Sequence, residues 1–203
     1  VDLRDGSQHE LSYTSLPGYN EDVLADVKAE NAKARGETYK TAKVIRDIGL
    51  MTDWYWSQSA LRWHPNGQQL AVMLKAFDNK DRWIATVDLA GKKLQPQHRL
   101  HDKAWVNYAF NDFGWLNNSE TLYFLSEESG YSHLYTKGLT DRNAKKLTAG
   151  TFEVSQPVLN KAGDAVYFRA NIHHPGIYNV YKIDLESGKQ TQLTQLQGNL
   201  TFA

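Results

Sequence analysis

The feature that most constrains this chain is a short pattern that recurs along it. Two Leu residues eight positions apart enclose a polar turn in residues 3–11, 139–147 and 185–193. Short apolar segments joined by polar turns of fixed length are typical of antiparallel hairpins, because the turn length sets the register of the two strands. The recurrence therefore predicts a repeated hairpin rather than a helical array.

A second recurring pattern supplies the other half of the repeat. Residues 61–72, 113–124 and 157–168 each contain a short apolar segment, a polar turn and a second apolar segment. Together the two patterns give four short strands in about 45 residues, the period of a propeller blade. The sequence predicts an all-β fold, namely a partial β-propeller with about three complete four-stranded antiparallel blades, blade fragments at both ends and one inserted helix.

Residues 15–49 interrupt the repeat and predict the helix. Asn20 is the expected N-cap, and Glu21 suits the positive end of the helix dipole. Lys33 and Gly36 suit its other end. We expect a helix of roughly four turns with a narrow apolar face, followed by a linker; that face consists of Val23, Leu24 and Val27.

We predict a single partial propeller domain over residues 1–203. Its expected parts are the end of a blade (1–14), the helical insertion and linker (15–49), and three blade segments (50–104, 105–151 and 152–203, the last with the start of another blade). A propeller needs at least about four blades to close. The chain is therefore expected to form an arc of a larger ring.

Composition and charge exclude several functional classes. Lys and Arg total 23, as do Asp and Glu, and no long basic run is present, so a nucleic-acid interface is not expected. No apolar run reaches the roughly 18 residues that cross a bilayer. The absence of cysteine excludes disulfides, thiolate zinc sites and cysteine nucleophiles. We predict no cofactor and no metal site.

Three further motifs, taken in order, point to a family. Trp105 and Val106 precede an acidic turn with Gly-Tyr-x-His-Leu-Tyr in residues 126–135, and Leu-Thr-x-Gly-x-Phe-Glu-Val follows at 147–154. The pattern at 61–72 is also similar to TolB-like periplasmic propellers and to the prolyl oligopeptidase superfamily. The full order resembles the propeller domain of dipeptidyl peptidase IV-type serine peptidases, over roughly residues 50–198.

The resemblance implies the function of a larger parent protein. Such enzymes remove dipeptides from free N-termini with a Ser, Asp and His triad on an α/β-hydrolase domain, while the propeller limits access and contributes an acidic pair that holds the substrate amine. This chain lacks the Gly-x-Ser-x-Gly nucleophile motif. Its nearest match, residues 130–134, ends in Leu. We predict a non-catalytic scaffold and substrate-access gate in a periplasmic or secreted parent.

The expected partners follow from the same resemblance. They are the missing α/β-hydrolase domain, the remaining blades and, through the parent enzyme, a peptide substrate. Because an arc leaves sheet faces uncovered, we also expect self-association through open blade faces. The alternative function is a TolB-like periplasmic propeller that binds another protein, and the sequence after Ala203 would distinguish the two.

Four residues are candidates for substrate binding. Glu127 and Glu128 could bind an ammonium group, although their place in a repeated hairpin turn favours a solvated turn. Trp54 and Trp56 have no counterpart in the other repeats and could face a groove. Trp63 aligns instead with two other blade residues and is predicted to lie in an inter-blade core; these are Trp115 and Leu159.

The remaining polar candidates are interpreted as structural. His98 and His101 are spaced as metal ligands on a helix would be, with Asp102 beside them, but the surrounding pattern is extended. His173 and His174 are adjacent, so on a strand they would point to opposite faces. Surface or turn positions are favoured for both pairs. Ser132 lies on the repeated hairpin, which argues against a catalytic role.

Overall fold

The computed structural model describes residue 3 and residues 5–51, 59–117, 119–195 and 197. Within these ranges the chain is mostly β, with one α-helix and one short 3-10 helix. It divides into two compact units, the first comprising Val1–Leu61 and Gln69–Val106, the second Arg62–Gln68 and Asn107–Ala203.

Three antiparallel sheets account for all the strands described. The first blade contains β1 (Ile48–Leu50), β2 (Leu61–Trp63), β3 (Leu70–Ala76), β4 (Asp81–Asp88) and β5 (Lys93–His101). The second contains β6 (Phe113–Trp115), β7 (Thr121–Ser126), β8 (His133–Gly138) and β9 (Lys145–Lys146). The third contains β10 (Val154–Leu159), β11 (Ala165–Ala170), β12 (Asn179–Asp184) and β13 (Gln190–Gln192).

In the second and third blades, strands that are consecutive in sequence are neighbours in the sheet. The second and third blades have the orders β6-β7-β8-β9 and β10-β11-β12-β13. The first blade has the order β1-β3-β4-β5, and β2 pairs with β3 beside this path. This up-and-down arrangement is that of propeller blades. The predicted fold class, a partial β-propeller with one inserted helix, is confirmed.

The Leu-Thr sequence that closes two of the repeats has the same hydrogen bonding in both. In the second blade the Thr148 hydroxyl accepts a hydrogen bond from the Leu134 N–H at 3.0 Å. In the third blade Thr194 accepts from the Val180 N–H at 2.9 Å. The hydroxyl thus replaces a backbone acceptor at the point where the outermost strand ends. In the second blade β9 accordingly ends at Lys146, directly before the Leu-Thr sequence.

The core of the second unit forms between two blade faces. Leu125 and Leu134 of the second blade belong to one buried cluster with Phe168 and Tyr181 of the third. Both leucines are fully buried. The two sheets therefore pack face to face through side chains that alternate along each strand, as the period of two residues requires.

Stacked aromatic pairs occupy repeated positions in the second and third blades. Phe124 stacks on its cross-strand partner Tyr135 with ring centroids 5.8 Å apart. Phe168 stacks on Tyr181, also its cross-strand partner, at the same separation. Because the two pairs are equivalent, they align the second blade with the third, and each residue of one blade can be matched to a residue of the other.

The predicted blade end at residues 1–14 is wrong for the part that the structure describes. Within residues 3 and 5–14 no strand forms, and Ser12 makes only an isolated parallel bridge to Lys93. The Ser12 hydroxyl accepts a hydrogen bond from the Thr14 N–H, which starts the 3-10 helix Tyr13–Ser15 and ends the extended conformation.

Residues 11–19 instead cover one face of the first blade. Leu16 is 1% exposed and lies in a buried cluster with Leu74 and Trp83. The Trp83 indole N–H donates to the Pro17 carbonyl at 3.0 Å. In place of a sheet, an irregular segment therefore buries the apolar side chains of this face.

The helix is shorter than predicted and begins later. α1 spans Ala25–Ala34, and Leu24 at its N-cap makes no side-chain capping bond. Asn20 is therefore not the N-cap. Only Ala32 of the helix is buried, and Val27 is half exposed, so the predicted apolar face is not a packing face. The predicted end is confirmed by Gly36, whose φ of 73° follows the last turn.

Two details of the first blade also differ from the prediction. β1 lies at the end of the expected linker 15–49, and Ile48 pairs with Ala76 of β3. Trp63 is 55% exposed, so its predicted place in a core is wrong, whereas Trp115 is buried. The residue after Trp63 is the buried one: His64 contacts the Trp115 ring edge-on, with ring centroids 5.1 Å apart.

The irregular segment on the first blade should contribute measurably to stability. We expect Leu16→Ala to lower the free energy of unfolding by about 2–5 kcal/mol, because it leaves a cavity beside Trp83. Urea denaturation followed by tryptophan fluorescence measures this. The matched control is Leu3→Ala, at a residue 95% exposed. Equal, small effects of both substitutions would show that the segment does not stabilise the blade.

Candidate functional site

The acidic candidates lie in the turn between β7 and β8. Glu127 is half-buried and Glu128 is exposed. The Ser126 hydroxyl donates to a Glu128 carboxylate oxygen at 3.2 Å, and the Gly130 N–H donates to the Glu127 carbonyl at 2.8 Å. Gly130 has a φ of 96°, which favours glycine at this turn. The turn is thus held by its own hydrogen bonds. Substrate binding by Glu127 and Glu128 stays a prediction.

Ser132 and the histidine pairs have defined structural contacts. Ser132 is buried, and its hydroxyl donates to the Val154 carbonyl at 2.7 Å. His98 and His101 both lie on β5 rather than on a helix. His173 contacts the side-chain oxygen of Gln192 at 3.2 Å. His174 accepts a hydrogen bond from the Gly176 N–H at 3.0 Å. Within the described ranges, no group of three or more His, Cys, Asp or Glu residues could hold a metal ion.

The two tryptophan candidates, Trp54 and Trp56, lie outside the described residues. Their proposed contact with a ligand therefore stays a prediction.

The most extensive polar cluster is one that the sequence did not reveal, and it centres on Arg46. Its side chain is 2% exposed and makes a bidentate pair with Asp78, at 2.8 Å for each nitrogen. Its third nitrogen contacts Asp81 at 2.7 Å and the Gly18 carbonyl at 2.8 Å. The guanidinium also lies over the Trp83 ring, 5.5 Å from its centroid.

A second arginine completes the cluster from β5. Arg99 donates to Asp81 at 2.7 Å and makes a bidentate pair with Glu21, at 2.7 and 3.2 Å. His101 contacts the same Asp81 oxygen at 3.0 Å. A Cβ at Gly18, whose φ is 76°, would lie 2.3 Å from the Arg99 guanidinium, so the close approach requires glycine.

The cluster, defined as Glu21, Arg46, Asp78, Asp81 and Arg99, joins the segment before the helix and the segment after it to the first blade. Burial lowers the pKa of Arg99, but the hydrogen bonds to Glu21 and Asp81 outweigh this and raise it overall. The hydrogen bond from Arg99 lowers the pKa of Glu21. Arg99 and Glu21 are therefore both charged near neutral pH, and the cluster orients the insertion by charge as well as by packing.

His133 forms a second polar centre, in the second blade. It is 1% exposed, with Nδ1 3.1 Å from the Thr148 hydroxyl and Nε2 3.1 Å from the Gly150 carbonyl. A carbonyl only accepts, so Nε2 carries the proton and Nδ1 accepts from Thr148. Burial lowers the pKa of His133. In the third blade Asn179 occupies the same position and accepts from Thr194 at 2.9 Å.

A third centre lies where β10, β11 and β12 meet. The Tyr178 hydroxyl donates to Glu153 at 2.7 Å, and the Arg169 guanidinium lies over the Tyr178 ring, 5.1 Å from its centroid. Burial, and then the hydrogen bond to Glu153, raise the pKa of Tyr178 to about 12. Arg169 also contacts the Gln156 side chain at 3.4 Å, beside a β-bulge in which Gln156 has a φ of 50°.

Comparison with known proteins identifies the family. Residues 26–203 match the family described as Dipeptidyl peptidase IV (DPP IV) N-terminal region. The chain belongs to the DPP IV N-terminal region family. The resemblance predicted from the order of the motifs is thereby confirmed, and the family match extends further towards the N-terminus than the motifs did.

A solved structure of a related fold supports the propeller assignment. The chain is similar to the crystal structure of Porphyromonas gingivalis dipeptidyl peptidase 4, with a TM-score of 0.56 and 17% identity over 79% of this chain and 22% of that one. It also matches TolB from Acinetobacter baumannii, with a TM-score of 0.49 and 19% identity over 79% and 35%. The match to TolB is too weak to carry an argument. The chain spans about a fifth and about a third of these two proteins.

No curated protein matched the chain. Among the described residues, no helix has the length and apolar character needed to cross a membrane.

Removing the central arginine of the charged cluster should be strongly destabilising. Arg46→Met removes the bidentate partner of the half-buried Asp78 and one of the two arginines that contact the buried Asp81. We expect it to lower the free energy of unfolding by about 3–5 kcal/mol. Urea denaturation measures the loss. Arg35→Met is the matched control, since the ion pair of Arg35 with Glu37 is exposed. A similar effect of both substitutions would contradict the anchoring role of Arg46.

His133 should make stability depend on pH below about 6.5. Its pKa in the folded state lies below the value in the unfolded chain, so the unfolded state takes up the proton first as pH falls, and stability is lost from about pH 6.5 downward. His133→Asn, which copies Asn179, should reduce this loss when melting temperatures at pH 7.5 and 5.5 are compared. His9→Asn, at an exposed residue, is the control. An unchanged pH dependence in His133→Asn would refute the assignment.

Proposed function

We propose that this chain is a non-catalytic propeller segment of a dipeptidyl peptidase IV-like serine exopeptidase, in which it acts as scaffold and substrate-access gate for an α/β-hydrolase domain. The observation that carries the proposal is the family match over residues 26–203. The blades support it, because sheets packed face to face provide a rigid wall without requiring chemistry of their own.

The polar centres described above are consistent with this role. Ser132 cannot attack a substrate while its hydroxyl is buried against the Val154 carbonyl. The Arg46 cluster and His133 bind groups of this chain, which suits a scaffold. Glu127 and Glu128 are the carboxylates that we propose to test for contact with a substrate amine. A periplasmic or secreted location is part of the same proposal.

The proposal predicts that activity requires the parent polypeptide. We expect the full-length gene product to release p-nitroaniline from Gly-Pro-p-nitroanilide and to react with a fluorophosphonate probe for activated serines. The 203-residue chain should do neither. As a gate, the propeller should allow the full-length protein to cleave short unstructured peptides while sparing a folded protein with the same N-terminal dipeptide. Spectrophotometry, gel fluorescence and mass spectrometry measure these results.

Three outcomes would contradict the proposal. Hydrolysis by the 203-residue chain alone would place catalysis in the propeller. A full-length protein that neither reacts with the probe nor cleaves the substrate would favour the alternative, a TolB-like propeller that binds another protein. Equal cleavage of the folded and the unstructured substrate would remove the gating role and leave only the scaffold.

A further inference from the structure

The third blade presents a face that corresponds to a completed interface in the second blade. The stacked pairs Phe124–Tyr135 and Phe168–Tyr181 align the two blades, so positions 123, 125, 134 and 147 correspond to 167, 169, 180 and 193. In the second blade this face is covered by the third blade. In the third blade it is only partly buried, and Leu193 is 48% exposed.

Charged residues distinguish the face of the third blade from that of the second. Leu125, fully buried in the completed interface, corresponds to Arg169. Lys182, the cross-strand partner of Tyr167, lies on the same face as Arg169 because residues of alternating position share a face. The face is therefore apolar through Tyr167 and Val180 and carries positive charge on Arg169 and Lys182. At its end Asp184 interacts electrostatically with Lys182, which leaves Arg169 as the positive charge without a carboxylate beside it.

The contacts of Arg169 leave part of its hydrogen-bonding capacity unused. Its nitrogens make one long contact, 3.4 Å, to the neutral Gln156 side chain. Its Nε is buried and has no hydrogen-bond partner, and no carboxylate of the described residues forms an ion pair with it. The nearby Glu153 is bound to Tyr178 instead. A guanidinium that becomes fully buried at such a position needs an anionic partner.

We propose that this face docks a further blade of the same propeller and that the docked blade places a carboxylate against Arg169. The occupant is argued from continuity with the interface between the second and third blades, which the same sheet positions already form. The self-association expected from the sequence would instead place a second copy on this face. That copy offers the same face in a two-fold arrangement, which brings a second Arg169 rather than a carboxylate. The proposal rests on the proposed function in assuming a longer propeller.

The test compares Arg169→Leu in the full-length protein at two pH values. Leu restores the residue found at position 125, so an apolar partner would make the variant as stable as the wild type or more so. A carboxylate partner would instead be left buried and unpaired. We then expect the melting temperature to fall by several degrees at pH 8 and the deficit to shrink at pH 5, where a lone buried carboxylate takes up a proton.

The titratable and charged groups around Arg169 define the controls. They are Glu153 directly before β10, Tyr178 directly before β12, and Lys182 and Asp184 on β12. Glu153→Gln, alone and combined with Arg169→Leu, tests whether Glu153 is the carboxylate. Arg142→Leu, at an exposed turn residue, should have no effect. Arg169→Lys keeps the charge and should retain most of the stability if Arg169→Leu proves too unstable to purify.

The outcomes separate this proposal from the proposed function. A pH-dependent deficit that persists in the Glu153→Gln background supports the docked carboxylate, whether or not the protein hydrolyses peptides. No deficit at pH 8, or one abolished by Glu153→Gln, overturns it. A 203-residue chain that dimerises by light scattering, and that Val180→Glu but not Val27→Glu makes monomeric, would also overturn it in favour of a second copy.

Discussion

The structure depends on burying the flat faces of small sheets. A four-stranded blade has two faces and too few residues to form a core alone, so each face needs a neighbour. In the second unit Leu125 and Leu134 meet the aromatic residues of the third blade across one such contact. The clearest example is β12, along which buried and half-buried residues alternate.

The first blade buries the face that carries Leu74 and Trp83 in a different way. Residues 11–19 supply Leu16 as the apolar element in place of a sheet. An irregular segment has no ladder of strand hydrogen bonds to fix its orientation. Here ion pairs fix the orientation of the segment instead. Arg46 and Arg99 reach carboxylates on the blade and in the insertion, and both arginines are bidentate towards one of them. Burying such charges costs desolvation energy, and what they provide is a defined geometry more than net stability.

Some local features could be predicted, and others could not, for reasons that individual residues illustrate. The turn at Gly130 and the helix end at Gly36 could be predicted from the sequence, because a positive φ leaves few alternatives to glycine. Asn20 was a plausible N-cap by type, but Leu24 takes that position, and Asp22 binds Lys28 and Tyr39 instead. Trp63 matched the repeat, and yet His64 is the buried residue, because a short strand at a sheet margin can direct either neighbour inward.

The sequence by itself determined the hairpins, their period and the family, since these depend on spacing within about ten residues and on motif order. The tertiary structure alone decided which charges meet. Arg99 and Glu21 are 78 positions apart, and Trp83 and Pro17 are 66 apart. It also decided that residues 11–19 form a cover rather than a strand, because the choice depends on which apolar face lies open beside them. No local pattern carries that information, since it exists only once the first blade has folded.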